Sequence, residues 1–358
     1  MGSAPAPDPA TATATATATA HVPAAPPQVL CLGEALVDRL GPPGGDPAGE
    51  GPCDDRLGGA PANVACALAR LGTPAAFLGR LGMDAIGEAF AQLFASRGVD
   101  TSGLQRDAER PSRIVLVRRD AAGERQFGGF AGERGAGFAD QALNAPQLDA
   151  ALGVLMPRAR WLVTGTIPLA SPASAAALEL ALRWAADTGV AVAVDVNWRP
   201  TFWDPAADPA SGPDPQQLCR CQPLLERAAL VKCAREEALW LCGSDDPAML
   251  SASLPCLPAV VVTDGANPVR WCWGESVGEQ APFPVVAVDT TGAGDAFSAG
   301  LLHGLCRRPE LLAGGDEAGL RELMRFASAC GALVCQGAGA IDPQPSAAAV
   351  QAWLNRVR

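Results

Sequence analysis

The stretch best able to do chemistry is Asp289-Thr290-Thr291-Gly292-Ala293-Gly294-Asp295-Ala296-Phe297. An apolar run, Val285 to Val288, enters it, and a small-residue helical pattern, Ala296 to Cys306, leaves it. Two glycines let a ligand approach the backbone with no side chain in the way. A helix starting there turns its free N–H groups toward the ligand, which suits an anion. Asp295 then stands at the helix start, either as an acid favoured by the helix dipole or as a base beside the anion.

The elements that must position this stretch follow a regular plan. Val29 to Asp38 reads as a first strand with a polar tip, and a Gly/Pro-rich loop runs from Gly41 to Pro52. Leu57-Gly58-Gly59-Ala60-Pro61-Ala62-Asn63 is a glycine turn feeding a helix to Arg70, with Pro61 in the first turn where it is tolerated. A strand over Ala75–Leu78 and a helix over Ala85–Arg97 follow. Arg113–Arg118 and Arg125–Phe127 flank Asp120-Ala121-Ala122-Gly123, a hairpin that interrupts the alternation and must lie over something. Strands over Trp161–Thr164, Val190–Val194, Ala229–Val231, Ala259–Val262 and Val269–Trp273 then alternate with helices. An irregular loop spans Thr201–Pro215, and two helices, Leu320–Val334 and Ala347–Val357, close the chain. This is an α/β pattern: a mainly parallel sheet covered on both faces, whose ligands bind past the carboxyl ends of the strands. Asp38, Asn197, Glu237, Asp264 and Asp295 each fall just past a predicted strand.

Composition narrows the chemistry. The chain has 358 residues, 49% hydrophobic and 18% charged, with a net charge of −11 and Lys232 as its single lysine. That balance argues against a nucleic-acid partner, and no run is long enough to span a membrane. Twelve cysteines without a compact framework point to reduced, mostly buried thiols and a reducing intracellular compartment. Cys219-Arg220-Cys221 is the one close pair and a candidate redox switch. With only His21 and His303, a histidine triad and a His-ligated zinc site are excluded. GxxxxGK[ST], a strand followed by GxGxxG, and GxSxG are all absent. Residues 1–27, rich in Ala, Pro and Thr, are expected to be disordered; they contain neither the basic residues of a transit peptide nor the apolar core of a secretory signal. A glycine-rich anion site, an adjacent carboxylate and further acids suit phosphoryl transfer.

Three motifs resemble those of the PfkB (ribokinase-like) carbohydrate kinases over Val29 to Arg358. Asp289 to Phe297 resembles the family's C-terminal signature, Gly58-Gly-Ala-Pro-Ala-Asn63 its N-terminal glycine motif in fructokinase form, and Asp195-Val-Asn-Trp-Arg199 the fructokinase DxNxR strand end. Gly33-Glu34 with Asp38 adds to them. The resemblance implies a ribokinase-like doubly wound fold over 28–358, with a small β lid from about 38–57 and 110–130. It implies an ATP-dependent sugar kinase, most simply of fructose, with a kinase for ribose or a keto-deoxy sugar acid, or a non-catalytic fructokinase-like interaction protein, as alternatives.

By the same resemblance Asp295 is the base and the N–H groups of Gly292, Ala293 and Gly294 form the anion hole. Asp38, Gly59 and Asn63 hold the sugar. Asn197 and Arg199 face the phosphates, while Thr263, Gly265 and Ser328 border the nucleotide. Glu237 acts on Mg²⁺ through water. Asp289 and Thr291, with the carbonyls of Val334, Gly337 and Gly339, bind a monovalent cation, K⁺. A homodimer through the lid is implied, in the cytoplasm or a plastid. Each residue also has a plainer role: Asn63 as a helix cap, Glu237 as a first-turn acid, Arg199 as a surface ion-pair partner, Asp38 as a turn former. Three positions depart from ribokinases: Ala234 replaces the Asn of N-x-x-E, Ala60 the motif Lys, and Ser328 a residue often Asn or His.

Overall fold

Long apolar strands set the architecture of the chain, whose computed structural model describes residues 25–49, 51–119 and 125–357. The expected disordered leader lies outside these residues up to position 24, as does the hairpin turn at 120–123. In chain order the strands are β1 (Val29–Leu32), β2 (Leu36–Pro43), β3 (Asp54–Gly58), β4 (Ala75–Gly82), β5 (Leu104–Asp107), β6 (Arg113–Arg119) and β7 (Arg125–Ala131). They continue with β8 (Trp161–Thr164), β9 (Ala191–Asp195), β10 (Leu230–Ala234), β11 (Ala259–Thr263), β12 (Val269–Trp273) and β13 (Ser276–Gln280).

Nine strands form one sheet in the order β13-β12-β11-β10-β9-β8-β1-β4-β5. All its pairs are parallel except β11–β12 and β12–β13, which form an antiparallel edge. Central strands read as unbroken apolar runs because both faces are covered: Val29 and Cys31 of β1 enter one core, Leu30 and Leu32 the other. Helices Ala60–Leu71, Ala85–Arg97, Ala293–Arg307, Glu317–Val334 and Ala347–Arg356 pack on the first face. Ala145–Leu155, Pro172–Thr188, Pro215–Leu225, Arg235–Cys242 and Pro247–Ser253 take the second. Strand order runs from β1 outward through β4 in one direction and through β8 in the other. The switch point between β1 and β8 is where a doubly wound sheet opens a crevice.

A second sheet, in the order β3-β2-β6-β7, stands over that crevice. Its outer pairs are antiparallel and its central pair, β2–β6, is parallel. The expected single strand Val29–Asp38 is thus two strands in two sheets. Gly33, at φ +150, breaks it, and a Cβ there would sit 2.6 Å from the Pro61 ring. The expected Gly41–Pro52 loop is shorter, since β2 runs to Pro43, and β3 and the edge strand β13 were not anticipated.

Other expectations need correction. Val285–Val288 is not a strand: Val286 and Val288 are 88% and 68% exposed, and the Val288 and Asp289 N–H groups bond the Cys335 carbonyl instead of a neighbouring strand. Thr201–Pro215 is not wholly irregular, because Pro200–Trp203 forms a helical turn and Ser211 accepts the Trp198 indole N–H at 3.0 Å. All twelve cysteines are free thiols. Cys219 is exposed and Cys221 buried two residues along one helix, a spacing that sends side chains to different sides and disfavours a redox pair.

Candidate active site

The crevice is a cleft of about 660 Å³. Its walls bring together Asp38 from β2, Gly59 and Asn63 from the glycine turn, and Asn197 and Arg199 past β9. Glu237, Gly292, Gly294 and Asp295 complete it. Thr263, Gly265 and Ser328 do not line it: Thr263 Oγ1 bonds the Cys233 carbonyl at 3.3 Å, and Ser328 Oγ is buried without a partner.

The helix Ala293–Arg307 begins at Gly292, which takes the left-handed conformation at φ +77. A Cβ there would meet the Ala340 Cβ at 2.5 Å, so the turn requires glycine on both counts. The Ala293 N–H turns back to the Thr290 carbonyl at 3.2 Å. It is therefore already used, and the anion site falls to its neighbours, Gly292 and Gly294, which line the cleft. A cavity of equal volume lies at the other end of this helix, lined by Arg307, Arg308 and Phe326. There Ala293–Arg307 presents its carbonyl end, and Arg308 is paired with Glu310, Asp316 and Glu322, so the glycine-started N-terminus of that helix serves only the first cleft.

Asp295 sits in the first turn, with its Oδ2 accepting Asn63 Nδ2–H at 2.7 Å. Burial and then the charge of Asp195 raise its pKa to about 6, against the pull of Asn63, Lys232 and Arg199. A carboxylate tuned upward at the mouth of an anion site has the profile of a base.

Lys232 is the residue that sequence reasoning passed over, because it is not in a glycine loop. It faces Asp195 across the β9–β10 register, and its Nζ donates to Asp195 Oδ1 and Oδ2 at 3.1 and 2.9 Å. Ser298 Oγ donates to the same Asp195 oxygen at 2.9 Å. A Cβ on Gly294 would lie 2.9 Å from Lys232 Nζ, which puts the chain's only lysine under the anion site. The available signal was a cation in the middle of an otherwise apolar strand, Leu230–Ala234. Gly294→Ala is expected to push the ammonium aside, lowering kcat about tenfold while changing stability by less than about 1 kcal/mol. Steady-state kinetics and urea denaturation of this variant separate the two effects.

Glu237 is buried, and burial raises its pKa. Its Oε1 accepts Trp198 N–H at 2.6 Å and its Oε2 accepts Ala234 N–H at 2.7 Å, tying the segment after β9 to the start of Glu237's own helix, Arg235–Cys242. Among the described residues no group of three His, Cys, Asp or Glu side chains is placed to hold a metal. Glu237, a single carboxylate with both oxygens already hydrogen-bonded, fits an ion carried mainly by phosphates and touched through water. Asn197, at φ +42, is one of two non-glycine residues with positive φ in the described chain. Backbone held in that region is common where a site over-determines it.

Asp289 accepts the Thr291 N–H and hydroxyl on Oδ1, at 2.9 and 2.7 Å, and the Gly339 N–H on Oδ2 at 2.8 Å. Gly337 N–H bonds the Val334 carbonyl at 3.1 Å in the adjoining turn. The Asp289–Gly339 bond therefore sets Asp289–Thr291 against the Val334–Gly339 turn, and the oxygens of the two segments are candidate ligands for a hard cation.

The chain matches the model of the pfkB family carbohydrate kinases over residues 26–347. The chain belongs to this family. It is 34% identical over 336 residues to probable fructokinase-7 of Arabidopsis thaliana, an alignment covering 92% of this chain and 93% of the relative. Among solved structures it is similar to fructokinase with bound ATP from Xylella fastidiosa, with a TM-score of 0.76 at 28% identity, covering 92% of this chain and 98% of that one. It is also similar to fructokinase from Vibrio cholerae O395 in a form with fructose, ADP and calcium ion bound, with a TM-score of 0.73 at 28% identity, covering 92% and 99%. This pfkB member is an ATP-dependent sugar kinase with the ribokinase-like fold. No helix among the described residues is long and apolar enough to cross a membrane.

Proposed function

We propose that this kinase phosphorylates fructose to fructose 6-phosphate, with Asp295 as the base. The observation that carries the reading is a raised carboxylate in the first turn of a glycine-started helix, hydrogen-bonded to Asn63 and flanked by a buried Lys232. Asp295 takes the proton as the sugar hydroxyl oxygen attacks the γ-phosphorus. The bond from that phosphorus to the β–γ bridging oxygen breaks and ADP leaves. Backbone N–H groups at Gly292 and Gly294, with Lys232 beneath them, stabilise charge on the moving phosphoryl group. Asp38, Gly59 and Asn63 orient the sugar, and Asn197 and Arg199 face the nucleotide phosphates. Thr263, Gly265 and Ser328, outside the cleft, are the nucleotide's more distant border.

Mg²⁺, when bound with the nucleotide, neutralises phosphate charge, and Glu237 would meet it through water. K⁺ is the proposed occupant of the Asp289, Thr291, Val334, Gly337 and Gly339 turn. Val115, Val117 and Phe127 of the small sheet line the cleft, which supports a lid that excludes water over the sugar, and a homodimer through that sheet. The free cysteines support a reducing compartment, cytoplasmic or plastid.

A coupled ADP-release assay over a panel of sugars tests the substrate. Fructose is expected to give the highest kcat/KM. Ribose or a keto-deoxy sugar acid exceeding it by orders of magnitude overturns the choice of sugar and leaves the family intact.

A further inference from the structure

Behind the sugar-facing wall lies a carboxyl group to which the mechanism above gives no task. Glu34 follows the Gly33 break and is 2% exposed. It borders both the cleft and an internal void of about 10 Å³ shared with Asp140, Ile167 and Ser174. Its Oε1 accepts the Ala60 N–H at 3.0 Å, while its Oε2 has no hydrogen-bond partner. A buried ionised carboxylate with one bare oxygen and no cation on it bears a large desolvation cost, whereas the neutral acid does not.

The charged groups felt by Glu34 are acids. Asp140 acts from the turn Ala139–Ala142 and Asp295 from the helix Ala293–Arg307, and Asp140 is already paired with Arg113. Asp38, on β2, is a further acid of the same cleft wall. Burial first, and then Asp140 and Asp295, push the Glu34 pKa up to about 8 against hydrogen bonds from its own backbone N–H and from the Ala60 N–H.

Ala60 opens the helix Ala60–Leu71, whose preceding residue, Gly59, has no side chain to cap it. Glu34 therefore satisfies one of the orphan N–H groups of that helix from 26 residues away. One turn further on, Asn63 holds Asp295. We propose that Glu34 is a positioning residue that, as a neutral acid, fixes the start of this helix and through it the Asn63–Asp295 hydrogen bond. Ionising Glu34 leaves an uncompensated charge buried beside Asp140 and Asp295. The two backbone N–H groups favour that charge, but desolvation and the two acids outweigh them and draw the carboxylate off the helix start toward the cleft, so the base is misplaced.

The inference rests on Asp295 being the base, and its test is built to separate the two. Glu34→Gln keeps the shape and the acceptor without the proton equilibrium. It is expected to hold kcat at pH 7 within about threefold of the parent and to lack the alkaline fall near pH 8 expected of the parent. Glu34→Ala is expected to lower kcat about 10²-fold, with KM moving less.

A readout free of catalysis comes from urea denaturation against pH. A group that binds its proton more tightly when folded gives stability that is present below its unfolded pKa of about 4.5 and lost as pH rises toward 8, so the parent should lose stability relative to Glu34→Gln across that window. A parallel pair of stability curves, an alkaline fall retained in Glu34→Gln, or a folded Glu34→Gln as slow as Glu34→Ala each overturn the proposal. If instead Asp295→Asn remains active while the Glu34 stability slope is found, the base assignment fails and the neutral acid stands.

Discussion

Replacing Asp295 with Asn is expected to lower kcat by about 10²–10⁴-fold, the contribution of a positioned general base. Asn keeps the size and a hydrogen-bonding oxygen for Asn63, so sugar and nucleotide affinity should change far less than kcat. The parent's own pH profile offers a second check. With a pKa raised to about 6 in the free enzyme, Asp295 is protonated below that value, and kcat/KM should fall tenfold per unit as pH drops beneath it. The same shift has a stability consequence. The folded chain binds this proton more tightly than the unfolded chain, so stability from Asp295 is present below about 3.8 and lost as pH rises through about 6. At pH 7 Asp295→Asn should therefore be at least as stable as the parent, which urea denaturation can measure. An inactive variant that is also destabilised would point to a structural role for the carboxylate.

The largest stability effect is expected at Arg113. Its guanidinium, 3% exposed, makes two hydrogen bonds to Asp140 at 2.8 and 2.9 Å and lies 4.4–4.7 Å from the ring centres of Phe130, Phe138 and Phe202. Arg113 starts β6 and Phe130 belongs to β7, both in the small sheet, whereas Phe202 is in the helical turn after Arg199. The cluster thus bolts that sheet to the floor of the cleft. Arg113→Met leaves Asp140 buried and unpaired, and is expected to cost about 3–5 kcal/mol. Adding Asp140→Leu removes the stranded charge and should recover most of that loss. Chemical denaturation of the single and double variants decides it. A single variant within about 1 kcal/mol of the parent would mean that Asp140 finds another partner.

Local chemistry was legible in the sequence, and long-range pairing was not. The glycine turn at Gly292, the helix behind it and the parallel core strands follow from residue type and period, because each depends on neighbours a few positions away. Asn63 was legible as a member of a glycine motif, yet its bond to Asp295 joins residues 232 apart, and nothing local in either segment implies it. Lys232 was invisible for a related reason. Its value comes from Asp195 opposite and Gly294 above, contacts made by sheet register and helix packing. Val285–Val288 misled in the other direction: four apolar residues satisfy the strand pattern, but the segment packs no neighbouring strand and leaves two valines in solvent. Glu237 lines the cleft, while its oxygens bond to backbone that only the assembled β9–β10 end supplies.

The split at Gly33 has a consequence for redesign. The chain leaves the nine-stranded sheet after β1, makes β2 and β3, and returns at Gly58; it leaves again before β6 and returns after β7. Leu36 pairs with both Gly58 and Arg113, so both excursions depart and rejoin beside one another. Residues 36–58 and 114–131 therefore form one exchangeable cassette, provided that Arg113, which holds Asp140, stays with the scaffold. Exchanging them with those of a related kinase would replace Asp38, Val115, Val117 and Phe127, while Asp295, Lys232 and Asp195 remain on an uncut scaffold.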